Sequence, residues 1–577
     1  MLFSDLSLYF EKIEATTSRN SITEILADLF RTSHVSEIGK ICYLLQGRVV
    51  PLYEAVEFGV ADKFIIRAIA LSYSLEVDEV VKAFKKYGDL GKAAESLHTG
   101  KTAKLDVTDV YDRLYAVATA NGQGSQERKI ALLSEILNDL DARSVRFVLR
   151  IPVDKLRLGF SEMTILDAIS WMLTGDKSLR GTLEDAYNVR PDIGFIAETV
   201  KKDGIKGLSH IRAHVGSPVL AQLCQRLPNA IEMIKKMGEV AVEPKYDGVR
   251  VQIHFKRERS RTQKAEIKTF SRNLENTTDM FSELQDVGHE LDTQDTILDC
   301  EAVGVDAATG KLVSFQETTT RKRKHDIASA QKNVPLKFFV FDILYKDGKD
   351  FLSVPLSDRR KILERTLVTK KLLVLSPQII TEDPAILREY HDAQLKKGLE
   401  GVVVKKWNSP YEPGRRGYSW VKFKEEEGKT GKLTDTIDAV VMGYYVGEGK
   451  RTGFGIGALL AGVRRGDQFV TITKIGTGVS DKLWKDIRRQ LHLIQIRKMP
   501  PEYADVNKAL VPDVWVIPKV VVELAGDDLT KSPNHGAGFA VRFPRLVRIR
   551  TDKGPHEVTT VSEVVRMNAN QSSAHRS

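Results

Sequence analysis

Apolar residues in the first 220 positions recur at three- and four-residue intervals. Leu6, Phe10 and Ile13 mark one helical face, and Ile165, Ile169, Met172 and Leu173 mark another. Ser21-Ile-Thr-Glu24 reads as a capping box ahead of Ile25, Leu26, Leu29 and Phe30. Turn signals such as Asn121-Gly122-Gln-Gly124 separate the helical stretches. Near Gly238 the period changes. Val249, Val251, Ile253 and Phe255 alternate with Arg250, Gln252 and His254, which predicts a strand. Further strands are expected over 297–305, 337–344, 401–405 and 420–424, with helices near 358–364 and 384–397. From Asp435 onward the pattern is short strands with glycine turns (439–445, 458–463, 469–475, 514–524) and one helix over 481–494, which suits a small β-barrel.

The expected organisation is multidomain α+β. An all-α region spans 1–220, a mixed α/β region 221–432 and a β-barrel 433–567, followed by a polar, disordered tail at 568–577. A length of 577 residues accords with several domains. Hydrophobic residues make up 42% and charged residues 28%, a balance that excludes a wholly disordered or collagen-like chain. No apolar run approaches the ~18 residues a membrane span needs. Asp5, Glu11 and Glu14 fall where a signal peptide would need an apolar core, so an intracellular location (cytoplasm or nucleoid) is expected. The formal charge of +10 is a mild push toward a polyanionic partner, although solvated lysines alone could produce it. Cys42, Cys224 and Cys300 are scattered, form no CxxC pair and cannot build a four-cysteine zinc site.

The candidate chemistry lies in the α/β region. Glu243-Pro-Lys245-Tyr-Asp247-Gly248-Val-Arg250 puts a lysine at the start of an alternating strand, before a glycine that permits close backbone approach. A deprotonated lysine amine is a nucleophile. Taken alone, the same residues describe a surface lysine beside a turn. Ser271-Arg272, Asp299-Cys-Glu301, Phe341-Asp342, Glu400-Gly-Val-Val-Val-Lys405 and Trp420-Val-Lys422-Phe-Lys424 follow in order. The period of two puts Asp299 with Glu301, and Lys422 with Lys424, on one strand face. Each motif singly has an ordinary structural reading: a core phenylalanine, a solvated lysine edge.

The ordered series resembles the covalent nucleotidyltransferases, and specifically the ATP-dependent DNA ligases of the replicative type in archaea and eukaryotes. The segment from Lys155-Leu-Arg-Leu-Gly159-Phe-Ser161 to Asp167 is similar to the N-terminal DNA-binding domain of those ligases. Lys474-Ile-Gly-Thr-Gly478, Ser532-Pro-Asn-His535 and Arg542-Phe-Pro-Arg545-Leu-Val-Arg548-Ile-Arg550-Thr-Asp552-Lys553 are similar to their C-terminal OB-fold domain. The resemblance implies a helical DNA-binding domain, an adenylyltransferase domain and an OB-fold barrel. The implied activity is nick sealing in replication, repair and recombination, with Lys245 as the AMP-lysine.

By the same resemblance Glu243, Arg250, Arg272, Glu301, Phe341, Lys405, Arg416, Lys422 and Lys424 bind the nucleotide. Arg542, Arg550, Asp552 and Lys553 orient the pyrophosphate, and Glu301 and Glu400 hold Mg²⁺ or Mn²⁺. The implied partners are nicked duplex DNA and, as a candidate, a sliding clamp, with the chain a monomer and no membrane involved. The basic run Arg321-Lys-Arg-Lys324 is a candidate backbone contact, balanced by its reading as a solvated loop. Ala221 and Gln222 depart from the family's usual Pro-Met at this approach to the catalytic region.

An NAD-dependent ligase would carry a four-cysteine zinc module. An RNA ligase or mRNA-capping enzyme would leave the helical first 220 residues unexplained. A catalytically dead nucleic-acid scaffold would have no use for Lys245, Glu301, Glu400 and Lys422 together.

Overall fold

The computed structural model describes residues 1–577 except 101–104, 154–155, 157, 228, 258–264, 307–308, 314–317, 319–334, 370, 425–435, 448–454, 477–478, 480, 527 and 574–577. The Arg321–Lys324 run falls outside the described residues. The chain forms two compact units: Met1–Ala393 with Val402–Phe423, and Gln394–Gly401 with Lys424–Ser577.

The first unit opens with consecutive helices from Phe3–Glu14 to Ile193–Asp203. Leu6, Phe10, Ile13, Leu26, Leu29, Phe30, Ile165 and Ile169 all enter one buried core, as their spacing predicts. Leu173 is the exception and is 42% exposed. The expected capping box at Ser21 is corrected. The helix starts a turn earlier, at Arg19, and Ser18 Oγ accepts the Ser21 amide, because a cap must precede the first helical residue. Helices Val35–Leu45 and Ile193–Asp203 approach closely at Gly194, where a Cβ would stand 2.5 Å from the Tyr43 ring. That approach lets the Tyr43 hydroxyl donate to Asp192 Oδ1 at 2.5 Å.

Two sheets follow. Their strands are β1 (Leu223–Arg226), β2 (Val240–Pro244), β3 (Val249–Arg257), β4 (Ala265–Ser271), β5 (Asp295–Gly304), β6 (Leu336–Lys346), β7 (Lys349–Asp350), β8 (Leu373–Leu375), β9 (Ile379–Thr381), β10 (Gly401–Lys406) and β11 (Arg416–Lys424). One sheet has the order β4-β3-β5-β6-β7, with β8 added in parallel to β6; the other has the order β1-β11-β10-β2-β9. The alternation read at 249–255 is real: Val251, Ile253 and Phe255 face a core with Leu298, Cys300, Phe338 and Val340. Helix Leu356–Thr366 covers β6 and brings in Arg359, whose guanidinium makes a two-pronged bond to Asp342 at 2.7 and 2.8 Å with both side chains fully buried.

The second unit is built on β12 (Ile437–Tyr445), β13 (Ala458–Arg465), β14 (Gln468–Ile475), β15 (Gln495–Ile496), β16 (Tyr503–Ala504), β17 (Val514–Val516), β18 (Val521–Ala525), β19 (Asp528–Lys531), β20 (Phe539–Arg542) and β21 (Arg545–Ile549). Eight of these form a curved half-barrel sheet of order β15-β17-β12-β13-β14-β16, with β18 pairing both β12 and β21. The single strand expected over 514–524 is broken in two, because the chain passes through Pro518, which has no amide to donate to a ladder. Helix Asp481–His492 buries Trp484, Ile487 and Leu491 against the sheet. The tail expected to be disordered over 568–577 is corrected for 568–573 only, since 574–577 lie outside the described residues. Helix Val561–Ser573 continues past 567, anchored by fully buried Val564 with Val561 and Met567 beside it.

Removing one partner of a fully buried ion pair strands the other charge, so Arg359→Met should destabilise the first unit by about 3–5 kcal/mol, and Arg359→Met with Asp342→Leu should recover most of that loss. Chemical denaturation of the three proteins checks both outcomes.

Candidate active site

β2 delivers the candidate nucleophile. Its five residues are all buried, and Lys245 follows directly, half-buried. Glu243 and Lys245 are two residues apart and share a strand face. Gly248 explains the Asp-Gly that follows. A Cβ there would meet the Ala302 carbonyl oxygen at 2.4 Å, so only glycine lets the start of β3 lie against β5.

On β3, Arg250 stands opposite Glu301 of β5. Its Nε and Nη2 donate to the two Asp299 oxygens at 3.1 and 2.7 Å, and its Nη1 donates to the Gln222 carbonyl at 2.7 Å. The Tyr411 hydroxyl donates to Asp299 Oδ2 at 2.8 Å. Asp299 is 1% exposed, so its charge is matched by the fork and the phenol together. Asp299 and Glu301, expected on one strand face, take two roles: Asp299 orients Arg250, while Glu301 is the carboxylate within electrostatic reach of Lys245. Burial pushes the Glu301 carboxyl up to about 7, against the pull of Lys245 and Arg250.

Phe341 of β6 meets Trp420 of β11 edge to face, with centroids 6.0 Å apart. The Lys405 ammonium lies 4.5 Å from the Phe341 ring centroid and 4.4 Å from that of Trp420. It donates to Glu243 Oε1 at 2.8 Å. Both partners are almost wholly buried. Burial pushes the Glu243 carboxyl above its ordinary value, and the Lys405 charge offsets part of that push. The Cys224 thiol of β1 is likewise raised by burial, and it is pulled the other way by Arg250, Lys405, Lys245 and Lys422. Four candidate cations therefore converge around one short strand.

Lys422 lies beside Arg226 of β1. Arg416 opens β11 beside Leu223 and is exposed. Arg272 is exposed and lines a small cleft with Pro218, Phe270, Arg250 and Asp299. The Lys424 side chain lies outside the described residues. Glu400 directly precedes β10, in the segment grouped with the second unit. Among the described residues no group of three or more His, Cys, Asp or Glu side chains could hold a metal. A divalent ion here would have one or two protein carboxylates and fill its other positions with phosphate oxygens and water. That donor set suits Mg²⁺, and a carboxyl raised by burial, as Glu301 is, gains from a nearby cation.

Gln222, which reads as a departure from the family pattern, proves to be a junction. It is fully buried, its amide donates to Tyr411 Oη at 3.0 Å, its Nε2 donates to Ser419 Oγ at 2.9 Å, and its Oε1 accepts the Glu412 amide at 3.0 Å. Gln222, Tyr411 and Asp299 were not among the expected nucleotide contacts. Their separation in sequence leaves no local signal beyond the Tyr411-Glu-Pro-Gly turn.

In the second unit, Arg550 follows β21 and Asp438 lies on β12. Arg550 Nη1 donates to Asp438 Oδ1 at 2.9 Å, while Nε and Nη2 donate to Asp552 at 2.8 and 2.7 Å. Lys553 Nζ donates to Asp438 Oδ2 at 2.6 Å. Hydrogen bonds from Arg550 hold the Asp552 carboxyl well below the usual carboxylate range. Arg542 ends β20 opposite Asp528.

Comparison with known proteins places this geometry. The model of the ATP dependent DNA ligase domain matches residues 218–424, that of the DNA ligase N terminus matches 2–170, and that of the ATP dependent DNA ligase C terminal region matches 452–553. A "probable DNA ligase" of Dictyoglomus thermophilum is 42% identical over 99% of this chain and 98% of its own length. "DNA ligase 2" of Thermofilum pendens is 36% identical over 99% and 97%. The solved structure titled "Pmar-Lig_PreS3" is 16% identical and covers 94% of this chain and 99% of its own, with a TM-score of 0.54, a likeness of fold.

The raised Glu301 carboxyl makes a signed prediction. Between about pH 4.5 and 7 the folded chain holds a proton that the unfolded chain has released, so this group's contribution to stability falls as pH rises through that window and is level above it. Glu301→Gln should remove that slope and gain about 1–3 kcal/mol over the natural chain at pH 8. Denaturant midpoints at pH 5 and pH 8 check it.

Proposed function

Because the chain belongs to the family of ATP-dependent DNA ligases and seals nicks in duplex DNA, we propose that Lys245 carries the AMP and that the residues gathered around it form the adenylate pocket. The observation that carries this reading is that Lys405, bonded to Glu243 of the strand that leads into Lys245, lies 4.5 and 4.4 Å from the Phe341 and Trp420 ring centroids, with Arg250 held by Asp299 nearby.

In the first step the Lys245 nitrogen lone pair attacks the α-phosphorus of ATP. The bond to the β-phosphate breaks, pyrophosphate leaves and the amine gives up a proton. In the second step an oxygen of the nick's 5′-phosphate attacks the same phosphorus, the P–N bond breaks and Lys245 leaves as the amine, taking up a proton. In the third, the 3′-hydroxyl attacks the 5′-phosphorus, loses its proton and expels AMP. One ATP is converted to AMP and pyrophosphate for each phosphodiester bond made.

Arg250 is held rigid by Asp299, Gln222 and Tyr411, so its charge costs little reorganisation as negative charge builds on the phosphate. Phe341 supplies a flat apolar face for the purine, and Glu243 with Lys405 forms the polar floor beside it. Lys422 and Lys424 are assigned to the α-phosphate, and Arg272 and Arg416 to the sugar and phosphates. Glu301 and Glu400 are the assigned holders of Mg²⁺, which when bound would neutralise phosphate charge and orient the leaving group. Arg542, Arg550, Asp552 and Lys553 are assigned to the pyrophosphate, and the half-barrel sheet of their unit to an OB-type fold. The helical region of residues 1–220 is assigned the main duplex grip, through phosphate contacts that need no base readout. A sliding clamp remains a candidate partner.

Incubation with α-labelled ATP and Mg²⁺, without DNA, should label Lys245, and nicked duplex should discharge the label with sealing. Lys245→Ala should take up no label yet bind nicked duplex within about twofold of the natural chain, and chelation of the metal should abolish labelling. Labelling of Lys245→Ala at the natural rate would overturn the assignment.

A further inference from the structure

The four residues assigned to the pyrophosphate are not equally placed to touch it. Both edges of the Arg550 guanidinium are already occupied by carboxylates, Asp552 on the Nε/Nη2 edge and Asp438 at Nη1, and the side chain is only 12% exposed. Lys553 directs one donor to Asp438 and keeps a third of its side chain in solvent. Asp438 is itself clamped by backbone. Its amide donates to Thr559 Oγ1 at 3.0 Å, and its carbonyl accepts the Thr559 amide at 2.9 Å. It also sits in a row of charges across three paired strands. Glu523 of β18 stands opposite Asp438, and Arg548 of β21 opposite Glu523, with Arg548 Nε donating to Glu523 at 2.6 Å. One buried, backbone-fixed carboxylate thus joins Arg550 to Lys553.

We propose that Asp438 is a positioning residue for adenylation: it fixes Lys553 as the cation that contacts the β- and γ-phosphates of ATP, while Arg550 is the strut that fixes Asp438. This rests on the assignment of these residues to the pyrophosphate. A guanidinium whose two edges already hold carboxylates must release one of them before it can grip a phosphate with two donors, whereas an ammonium with three rotatable donors can hold Asp438 and a phosphate oxygen together. Asp438 touches neither substrate nor reacting atoms. It acts through Lys553, so its loss should spare reactions that do not expel pyrophosphate.

The test compares Asp438→Asn, Asp438→Glu, Arg550→Lys and Lys553→Ala in the full chain. Each is read in three ways: the rate of Lys245 adenylation across ATP concentrations, the sealing of a duplex whose nick already carries a 5′-adenylate, and the thermal midpoint. Lys553→Ala should lose about 100-fold in kcat/KM for adenylation. Asp438→Asn and Arg550→Lys should lose about tenfold, and Asp438→Glu should recover to within about threefold. Sealing of the pre-adenylated nick should stay within about twofold, with the midpoint of Asp438→Glu unchanged.

Asp438→Asn adenylating at the natural rate while Lys553→Ala fails would overturn the positioning role and leave the pyrophosphate assignment intact. Lys553→Ala adenylating at the natural rate would overturn both. Equal loss of adenylation and pre-adenylated sealing in Asp438→Asn and Asp438→Glu would make Asp438 a folding residue only and overturn the proposal.

Discussion

Positive charge concentrated around β1 is the constraint on which the catalytic region depends. Arg250, Lys405, Lys422 and Lys245 all pull on the Cys224 thiol, so positive charge is gathered around it. Like charges gathered together repel, more so where water is scarce. The fold answers with a carboxylate for each of three of these cations. Asp299 takes the Arg250 fork, Glu243 takes Lys405, and Glu301 lies within reach of Lys245. A triphosphate brings further negative charge to the same place. The pocket is therefore assembled around a charge balance that a bound triphosphate would alter, and two deeply buried carboxylates, Asp299 and Glu243, hold Arg250 and Lys405 in place.

The sheets serve this arrangement. β2 leads into Lys245 through five buried residues, which ties the candidate nucleophile to a core strand. Gly248 brings β3 against β5 so that Arg250 and Glu301 stand in register. Gln222 then binds Tyr411, Glu412 and Ser419 to the base of Arg250, so β1, β3 and β11 share one hydrogen-bonded knot. The Arg359–Asp342 pair plays a separate part, holding a helix on β6 one residue beyond Phe341.

Features with a short-range signature were legible in the chain. Lys245-Tyr-Asp-Gly248 announces itself because nucleophile and close-approach glycine are adjacent, and the alternation at 249–255 because strand period is local. Helical spacing found the N-terminal core but misplaced a cap, since Ser18 and Ser21 are equally good cap residues and only the first helical turn decides between them. The strand break at Pro518 was missed because apolar residues flank it on both sides. The knot at Gln222 and the Asp438 pairs escaped for a different reason. Gln222 meets Ser419 across 197 positions and Arg550 meets Asp438 across 112, and pattern along a chain carries no such distance.

The pairing of β12 has a consequence for how the chain is made. Strand β12 emerges first in its unit, yet β18 follows some 80 residues later, and the Arg550, Lys553 and Thr559 contacts to Asp438 later still. Contacts between distant segments form slowly and leave strand edges uncovered meanwhile. A ribosome halted before residue 545 would thus release a chain whose nucleotidyl sheets are complete but whose second sheet still lacks an edge. Such a product has β18 as an open edge and an unmatched Asp438, and is marked for aggregation or proteolysis rather than for premature action on DNA.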